Sequence, residues 1–422
     1  MSSLFLRNTR VLDVRTGELR ELSNIWVENG RIRDIDASDP KTDIPVLDLG
    51  GRTVMPGLID AHVHVMISEL DALKMKGIPP TLATARSGPI LSGMLDRGFT
   101  TVRDTAGADH GLREAVASGL VRGPRLFICG RAISQTGGHV DFRDRTEHRR
   151  MSCVCCNGLD LSARVADGVP GILEAVREEL RQGADHIKIA VSGGVASPIA
   201  PFDSLQYTVE EIRAAVQAAT DWGTYVCAHA YSAASIRRAL ECGVRSIEHG
   251  NMIDEASAQL GAQQGAFLVP TLATYEAMAL YGAEYGLDAV SLERNRHVLS
   301  AGLTSLEIAR GAGMRIAFGS DLLGQLHHLQ SREFMIRSDV MSPLEIIQSA
   351  TLTNAELLRR EGELGIIEPG ALADLIAVDG DPLANIALLG EGSKHIPVVI
   401  KDGQVTKDAR SASDWNRHST RS

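Results

Sequence analysis

The feature of this sequence that most constrains its fold is a repeated alternation of short apolar runs with segments of helix length. The apolar runs have the length of buried strands, and they occupy residues 58–65, 100–104, 126–129, 186–191, 225–229, 246–249, 267–272 and 316–321. Helix starts are marked by the capping box Thr208-Val209-Glu210-Glu211 and by Ser342-Pro343-Leu344-Glu345, which adds proline at the first helical position. This alternation is typical of βα units, and eight units predict an α/β fold with a closed (β/α)8 TIM barrel.

The two chain ends have a different pattern, with short β-like runs separated by turn signals such as Glu28-Asn29-Gly30. The runs lie at 4–6, 24–27 and 46–49 near the start, and at 374–378 and 397–403 near the end. Because both ends are β-rich, they can pair into one small domain. The predicted organisation is a β domain from residues 1–55 and 364–406, a barrel over 56–363 and a polar tail over 407–422.

The composition is that of an ordinary globular protein, since 44% of the 422 residues are hydrophobic and 23% are charged. The formal net charge of −10 repels polyanions and argues against nucleic-acid or anionic-membrane partners, so a small-molecule partner is expected. The sequence has no apolar run of about eighteen residues and does not begin with the apolar stretch of a signal peptide. We expect a cytoplasmic protein, and secretion stays open if a leader has been removed.

Residues of metal-binding type stand at the ends of several strand candidates. His62 and His64 are two positions apart, and such side chains share one face of a strand, so both can bind one metal. His229, His249 and Asp321 end three further candidates, and a barrel brings these ends onto the C-terminal rim where active sites lie. Neutral imidazoles suit zinc. Taken singly, the histidine pair can arise by chance and the other three can be core or capping residues; their common position favours a metal site.

Lys188 is the most informative single residue, because it puts a cationic side chain inside the apolar strand candidate 186–191. An unpaired buried ammonium is costly. Burial lowers the pKa of a lysine, and a neutral amine near metals can take up CO2 to form a carbamate whose two oxygens bridge two cations. The alternative is that Lys188 extends its amine to solvent along an apolar stem.

Residues 137–168 have no clear periodicity, and we interpret them as a long insertion of functional or disordered character. Beside a cysteine cluster (Cys153, Cys155 and Cys156) the insertion carries the arginines Arg143, Arg145, Arg149 and Arg150. With Cys129, Cys227 and Cys242 the chain has six cysteines, too few for a disulfide framework. The cluster lacks the paired C-x-x-C spacing of structural zinc sites, which favours reduced loop thiols over a soft-metal site.

The segment 54–64, Val-Met-Pro-Gly-Leu-Ile-Asp-Ala-His-Val-His, resembles the first-strand signature of the amidohydrolase superfamily. Lys188, His229, His249 and Asp321 match the later ligand positions of that superfamily. The resemblance implies that His62, His64 and Asp321 hold one divalent metal ion, that His229 and His249 hold a second, and that carboxylated Lys188 bridges both. It also implies a TIM barrel with a small β-sandwich domain formed by both chain ends, and Zn²⁺ as the metal.

Further motifs are similar to those of the prolidase-like branch, the Xaa-Pro dipeptidases. They lie at 137–139 (Gly-Gly-His), 190–198 (Ala-Val-Ser-Gly-Gly-Val-Ala-Ser-Pro), 206–207 (Gln-Tyr) and 228–232 (Ala-His-Ala-Tyr-Ser). This branch hydrolyses dipeptides and N-acyl amino acids, and related microbial enzymes cleave the amide of ochratoxin A. The resemblance implies homo-oligomers and brings His139 and Tyr231 near the substrate. Val169-Pro170-Gly171 departs from the acidic segment expected there. Gly193 and Gly194 permit close approach to a ligand or merely a tight turn.

The reaction implied by the resemblance is hydrolysis of an amide or peptide bond by a hydroxide that bridges two metals. Asp321 is the candidate general base, and His139 and Tyr231 are expected to orient the substrate or stabilise the oxyanion. The expected substrate carries a free carboxylate on its leaving amino acid, with the arginines of the insertion as a positive rim.

Two alternatives remain at this stage. A deaminase or cyclic-amide hydrolase on the same barrel often uses one metal and a glutamate just past the fifth strand, whereas here no acid follows His229 until Glu241. A catalytically silent scaffold would have lost ligand residues, and all six are present. Both comparisons favour the two-metal hydrolase, and the number of bound metals would separate the three.

Overall fold

The structure is a computed structural model that describes residues 3–39, 44–147, 162–197 and 199–410. Strands at the chain ends and strands in the middle of the chain form separate sheets. In chain order the strands are β1 (Ser3–Asp13), β2 (Glu18–Glu28), β3 (Arg31–Ile35), β4 (Val46–Asp48), β5 (Thr53–Pro56), β6 (Leu58–Val63), β7 (Phe99–Asp104), β8 (Arg125–Ile128), β9 (Ala132–Ser134), β10 (Ala163–Val165), β11 (Ile187–Ala190), β12 (Val226–Ser232), β13 (Ser246–Met252), β14 (Phe267–Val269), β15 (Arg315–Ile316), β16 (Leu375–Val378), β17 (Val398–Lys401) and β18 (Gln404–Asp408).

The helices occupy the segments between the middle strands and the region that precedes β16, except α13, which lies between β16 and β17. They are α1 (Ala72–Lys76), α2 (Pro80–Asp96), α3 (His110–Ala117), α4 (Gly168–Arg181), α5 (Val209–Asp221), α6 (Ala233–Glu241), α7 (Glu255–Gln263), α8 (Leu272–Tyr281), α9 (Ala289–Gly311), α10 (Arg332–Arg337), α11 (Pro343–Gln348), α12 (Asn354–Leu357) and α13 (Ala387–Gly390). Both predicted capping boxes are present, at Thr208 before α5 and at Ser342 before α11, where each hydroxyl accepts the backbone N–H three residues on.

Both chain ends contribute to one eight-stranded sheet, as the β-rich runs predict. Its order is β18-β17-β16-β5-β1-β2-β3, and β4 pairs with β1. The two ends meet where β5 pairs antiparallel with β16, with Met55 opposite Ile376. Apolar side chains from both ends, among them Leu6, Ile25 and Leu375, pack into one buried cluster. Burial of this shared cluster ties the ends of the chain together.

The middle of the chain has a TIM-barrel-type fold of mixed α/β content. The strands β6-β7-β8 form one parallel sheet, and β10-β9-β11-β12-β13-β14-β15 form another. Backbone hydrogen bonds link the two sheets on both sides: Asp185 N–H donates to Ile128 at 2.7 Å, and Ala61 N–H donates to Phe318 at 2.8 Å. All eight predicted strand positions are confirmed by β6, β7, β8 and β11 to β15, although the last is regular only over Arg315–Ile316.

A π-helical turn, Ser349–Thr353, lies between α11 and α12 and precedes Asn354. The fully buried Asn354 amide donates to the carbonyls of Ile59 (2.6 Å) and Phe318 (2.9 Å) and accepts the Phe318 N–H (3.2 Å). One side chain therefore supplies hydrogen bonds between β6 and the segment that follows β15, where no regular ladder runs.

The predicted insertion contains one short strand, β10, which pairs with β9, and neither strand was predicted. Val169, Pro170 and Gly171 lie in the first turn of α4. Arg149, Arg150 and the cysteines Cys153, Cys155 and Cys156 lie outside the described residues, as does the tail from 411 onward. Among the described helices, none combines the length and apolar character needed to cross a membrane.

Candidate active site

Three predicted ligands converge at the C-terminal ends of the barrel strands. The ligand atoms of His62, His64 and Asp321 lie within 4.8 Å of one another. Asp321 Oδ1 is 3.2 Å from His62 Nε2 and 3.0 Å from His64 Nε2. His62 belongs to β6 and His64 follows it by one residue, so the alternation of the strand directs both rings to the same side.

Lys188, His229 and His249 line the same cavity as these three residues. We call these six side chains the ligand set. The His229 and His249 ring centroids are 4.6 Å apart, and His249 lies 5.0 Å from His62. Lys188 is 5% exposed, and its amine makes no hydrogen bond or ion pair within the part of the chain that the structure describes. The alternative in which Lys188 extends its amine to bulk solvent is thus not what the structure has.

Unusual backbone conformations accompany the site. His249 (φ 72°), Thr271 (φ 50°) and Asp321 (φ 53°) are all in the left-handed region, which costs non-glycine residues free energy. In a regular strand His249 would point away from Glu248, yet both side chains are buried in the barrel. The left-handed turn at His249 therefore brings its imidazole into the cavity beside the ligand set.

Hydrogen bonds show which ring nitrogen of three histidines is free to bind a metal, because the other nitrogen of each ring faces a group that can only accept a hydrogen bond. His62 Nδ1 faces the Glu248 carboxylate at 2.6 Å, and His64 Nδ1 faces the Ala106 carbonyl at 3.3 Å. His229 has the opposite arrangement, with Nε2 2.9 Å from the Gly193 carbonyl. Because carbonyls and carboxylates accept, these nitrogens carry the protons. The lone pairs then lie on Nε2 of His62, Nε2 of His64 and Nδ1 of His229.

The second pair of histidines is held neutral. Burial, together with the neighbouring His139 and His249, keeps the pKa of His229 well below its usual value. Burial likewise keeps the pKa of His249 well below its usual value, although Asp321 opposes the shift. Neutral imidazoles are the form that metals bind.

Two supporting residues were missed by the sequence reasoning, Glu248 and Arg103. Both are fully buried, and the Glu248 carboxylate accepts from Arg103 Nη2 at 2.8 Å while it contacts His62. Burial alone would raise the pKa of Glu248, but the Arg103 charge and the hydrogen bond to His62 hold it well below its usual value. A charged residue inside each apolar strand candidate was the available signal, as it was for Lys188.

His139 stacks on His229 with ring centroids 3.9 Å apart. Its Nδ1 lies 2.6 Å from Ser197 Oγ, which accepts the Gly194 N–H at 2.8 Å. Among the described residues His139 Nδ1 is the one acceptor within reach of the Ser197 hydroxyl proton, so we assign the hydroxyl as the donor to Nδ1 and the imidazole proton to Nε2. Burial and the nearby Lys188 charge lower the pKa of His139 to about 3. His139 is thus a neutral hydrogen-bond donor at the cavity wall.

Close packing explains the two glycines of the 190–198 motif. A Cβ on Gly194 would lie 2.3 Å from the His139 ring, and one on Gly193 would lie 2.0 Å from the Pro201 carbonyl oxygen. Neither distance is possible for a real side chain. Both glycines therefore permit close approach of this chain's own atoms.

Tyr231 is buried beside the second pair of histidines. Its ring stacks on His249 at 5.2 Å, and its hydroxyl is 2.9 Å from that of Tyr275. Burial raises the pKa of the Tyr231 phenol, so the hydroxyl stays protonated. Either hydroxyl of this pair can be the donor; when Tyr231 accepts from Tyr275, its own proton is available as a second neutral donor at the cavity.

The remaining cavity wall is largely apolar and includes Ile67, Val140, Phe142, Met278 and Leu323. Among the described lining residues the only charged side chains are Lys188 and Asp321. The predicted arginine rim is only partly described: Arg143 pairs with Asp141 at 2.6 Å, and Arg145 is exposed. An arginine that is already paired contributes little net positive charge to the cavity mouth.

Comparison with known proteins decides the family. Residues 53–406 match the amidohydrolase family. The chain belongs to this family. As an amidohydrolase it is a hydrolase that acts on amide or peptide C–N bonds, which confirms the predicted superfamily and enzyme class. The family generally uses divalent metals, and the cluster of His62, His64 and Asp321 is suited to hold one.

Solved structures and a curated relative are similar to this amidohydrolase along most of its length. A prolidase complexed with N-methylphosphonate-L-proline is 46% identical with a TM-score of 0.94, covering 96% of this chain and 100% of that one. A Xaa-Pro dipeptidase with bound methionine is 31% identical with a TM-score of 0.87 at the same coverage. Ochratoxinase of Aspergillus niger is 29% identical over 373 residues, which are 84% of this chain and 75% of the relative. The prolidase-like and ochratoxinase-like assignment is therefore confirmed.

Proposed function

We propose that this amidohydrolase uses two divalent metal ions, Zn²⁺ by the chemistry of the ligands, to cleave dipeptides or N-acyl amino acids that carry a free carboxylate. The observation that carries the proposal is the convergence of the whole ligand set on one cavity. The prolidase and the Xaa-Pro dipeptidase support the substrate class. Ochratoxin A, an N-acyl phenylalanine, belongs to the same class, and similarity to ochratoxinase makes it a specific candidate.

The electrostatics of the first three ligands fit a metal ion. With protons on Nδ1, His62 and His64 both direct a lone pair at Asp321 Oδ1 from 3.2 and 3.0 Å. The buried Nε2 of His62 has no hydrogen-bond partner among the described residues. Three acceptors that face one point are unfavourable unless a cation lies between them. His229 and His249 would hold the second ion.

Lys188 would bridge the two ions after carboxylation. The unprotonated Nζ adds to the carbon of CO2, a C–N bond forms and one proton is released, which leaves a carbamate with one negative charge and two ligand oxygens. Support comes from the burial of Lys188 and from the lack of any carboxylate paired with its amine in the described ranges. A bare ammonium at this depth would be uncompensated.

When bound, the two ions would lower the pKa of a water molecule, polarise the scissile carbonyl and compensate the charge that develops on its oxygen. Asp321 is the proposed general base. Its Oδ1 faces His62 and His64, so Oδ2, 3.7 Å from His249 Nδ1, is left to accept the water proton. As Asp321 takes the proton, the water oxygen would form a bond to the carbonyl carbon; Asp321 then gives this proton to the leaving nitrogen as the C–N bond breaks, and an acid and a free amine result.

His139 and Tyr231 are the proposed substrate contacts. The His139 Nε2–H and the Tyr231 hydroxyl are neutral donors at the wall of the cavity. Either can donate to the substrate carboxylate or to the carbonyl oxygen as negative charge develops on it. Because the described lining holds no free arginine, these donors carry the recognition of the carboxylate.

A matched pair of substrates tests this function. We would measure kcat/KM for an Xaa-Pro dipeptide, or an N-acyl phenylalanine such as ochratoxin A, and for the same compound with a carboxamide in place of the carboxylate. A charge-assisted hydrogen bond contributes about 1.5 to 3 kcal/mol, so the carboxamide should react roughly ten- to a hundredfold more slowly. His139→Ala or Tyr231→Phe should shrink the difference.

Equal rates on the two substrates with the wild-type enzyme would remove carboxylate recognition from the proposal. Faster hydrolysis of a lactam or cyclic imide than of either would instead favour the cyclic-amide hydrolase, and a single bound metal would favour a deaminase-like site.

The architecture completes the proposal. Hydrogen bonds from Asp185 to Ile128 and from Ala61 to Phe318 support closure of the barrel over residues 56–363. The shared eight-stranded sheet supports one β domain from residues 1–55 and 364–406, and its sandwich form stays a prediction. The sheet extends through β18 to Asp408, two residues into the predicted polar tail 407–422. Homo-oligomeric assembly stays a prediction that light scattering can test.

A further inference from the structure

We infer that Glu248, anchored by Arg103, is a positioning residue that sets the tautomer of His62 and thereby leaves Nε2 of His62 free as the metal ligand. The inference rests on the proposed metal site, since the role of Glu248 is exerted through His62 alone. Neither Glu248 nor Arg103 lines the cavity.

The Glu248 carboxylate accepts hydrogen bonds from three donors. Its Oε1 accepts from Arg103 Nη2 at 2.8 Å and from Ser246 Oγ at 2.6 Å. Its Oε2 lies 2.6 Å from His62 Nδ1. All of these groups are buried, so water does not compete with them. Because a carboxylate only accepts, the His62 proton stays on Nδ1.

Arg103 connects this carboxylate to the strand that carries the first two ligands. Its Nε donates to the carbonyl of Ala61 at 2.5 Å, one residue before His62, and its Nη1 donates to Ser246 at 3.2 Å. The Arg103 guanidinium, from β7, therefore links β6 to β13 through hydrogen bonds to Ala61, Ser246 and Glu248. Its planar arrangement of donors suits this role in a way that a lysine would not.

The variant Glu248→Gln tests whether this carboxylate sets the tautomer of His62. Arg103 and Ser246 both donate to the Oε1 position, so the amide oxygen of the new side chain occupies it and the amide NH2 faces His62. An NH2 group donates, so His62 Nδ1 must accept and its proton moves to Nε2. The imidazole then presents a proton where the metal should bind.

A matched control is available in a second buried pair. Glu333 accepts from Arg337 Nε at 2.8 Å and from the Ala273 N–H at 2.6 Å, and both charged side chains are fully buried. Glu333→Gln therefore also leaves a buried arginine without its carboxylate, but Glu333 makes no hydrogen bond to a residue of the ligand set. A loss of metal affinity that reflects damage to the core should occur in both Glu248→Gln and Glu333→Gln.

The experiment measures Co²⁺ affinity by chelator competition, the number of ions bound and the melting temperature for the wild type, Glu248→Gln and Glu333→Gln. We expect Glu248→Gln to lower the affinity of one of the two ions by about 10- to 100-fold, with the second ion retained. Glu333→Gln should lower the melting temperature to a similar extent and leave both affinities unchanged. Unchanged Co²⁺ affinity in Glu248→Gln, or an equal loss in Glu333→Gln, overturns the inference.

A second measurement keeps the inference testable if Glu248→Gln does not fold. In the zinc-loaded wild type, nitrogen-15 NMR of the histidine side chains, with His62 assigned by its loss in His62→Asn, should detect a proton on Nδ1. A proton on Nε2 overturns the inference. If the wild type binds no metal at all, the proposed function itself fails, which is a different outcome from two bound ions that are indifferent to Glu248.

Discussion

Asp321 donates its backbone N–H to the carbonyl of His62 at 2.8 Å while its Oδ1 lies 3.2 Å from Nε2 of the same residue. The last barrel segment is thus held against the first strand by the two residues that meet at the candidate metal site. The geometry of the candidate metal site and the contact between the first and last barrel strands therefore depend on one another. A substitution that disturbs one should also disturb the other.

The variant Asp321→Asn should abolish most of the turnover and spare the fold. A neutral amide cannot accept the water proton at Oδ2, and loss of a general base typically lowers kcat by about 10²- to 10⁴-fold, to which a weakened metal ligand adds. Steady-state kinetics and thermal unfolding check this. Asp374→Asn is the control, since this buried acid pairs with Arg125 outside the cavity. Activity within a factor of a few of the wild type would refute the assigned role.

Asn354→Ala should destabilise the contact between the first and last barrel strands. The substitution leaves the buried carbonyls of Ile59 and Phe318 and the Phe318 N–H without their side-chain partner. A hydrogen bond contributes about 0.5–1.5 kcal/mol net, and Phe318 keeps its backbone bonds to Ala61 and Ser349, so the loss of three side-chain bonds should lower the free energy of unfolding by about 1–3 kcal/mol. Asn295→Ala, which removes a single bond to the Tyr275 carbonyl, should cost less. If denaturant unfolding shows an equal loss of unfolding free energy in Asn354→Ala and Asn295→Ala, Asn354 has no special importance for the contact between the first and last barrel strands.

Lys188→Ala should weaken the binding of at least one metal and abolish turnover, because the bridge is lost. Added short carboxylates or bicarbonate should restore a fraction of the activity in Lys188→Ala, whose truncated side chain leaves room for them. Lys188→Met fills that room and should not be rescued. Metal analysis and rescue kinetics provide the measurement, and a Lys188→Ala enzyme with wild-type metal content and rate would exclude the carbamate.

Gly194→Ala should impair catalysis through His139. The new methyl group would lie 2.3 Å from the His139 ring, so the ring must move. A displacement of about 1 Å at a substrate contact can cost on the order of 10²-fold in rate. The control is Gly88→Ala in α2, where a methyl group meets nothing within 4 Å. If kcat/KM is the same in both variants, His139 does not need its observed position.

The strand positions and the six side chains that line one cavity could be predicted from the sequence, because each signal was local. Apolar runs of strand length identify β6 to β8 and β11 to β15, and residues two apart such as His62 and His64 reveal their common face without knowledge of the fold. The helix caps at Thr208 and Ser342 were also local signals.

The features that could not be predicted from the sequence depend on contacts between residues that are far apart in the chain. Glu248 and Arg103 are 145 positions apart, and nothing in either strand indicates that one partners the other. The hydrogen bonds of Asn354 to β6 and to the segment that follows β15 depend on a π-helical turn that has no sequence signature. The strands β9 and β10 were missed because three residues are too short to show a periodicity.

The central claim is that the ligand set holds two metal ions. The most direct test is elemental analysis of the purified protein by mass spectrometry, together with the hydrolysis rate before and after chelation. We predict about two divalent ions per chain, predominantly zinc, loss of activity on chelation, and recovery when Zn²⁺ is returned with bicarbonate. One ion per chain, or none with hydrolysis undiminished by chelation, would contradict the account.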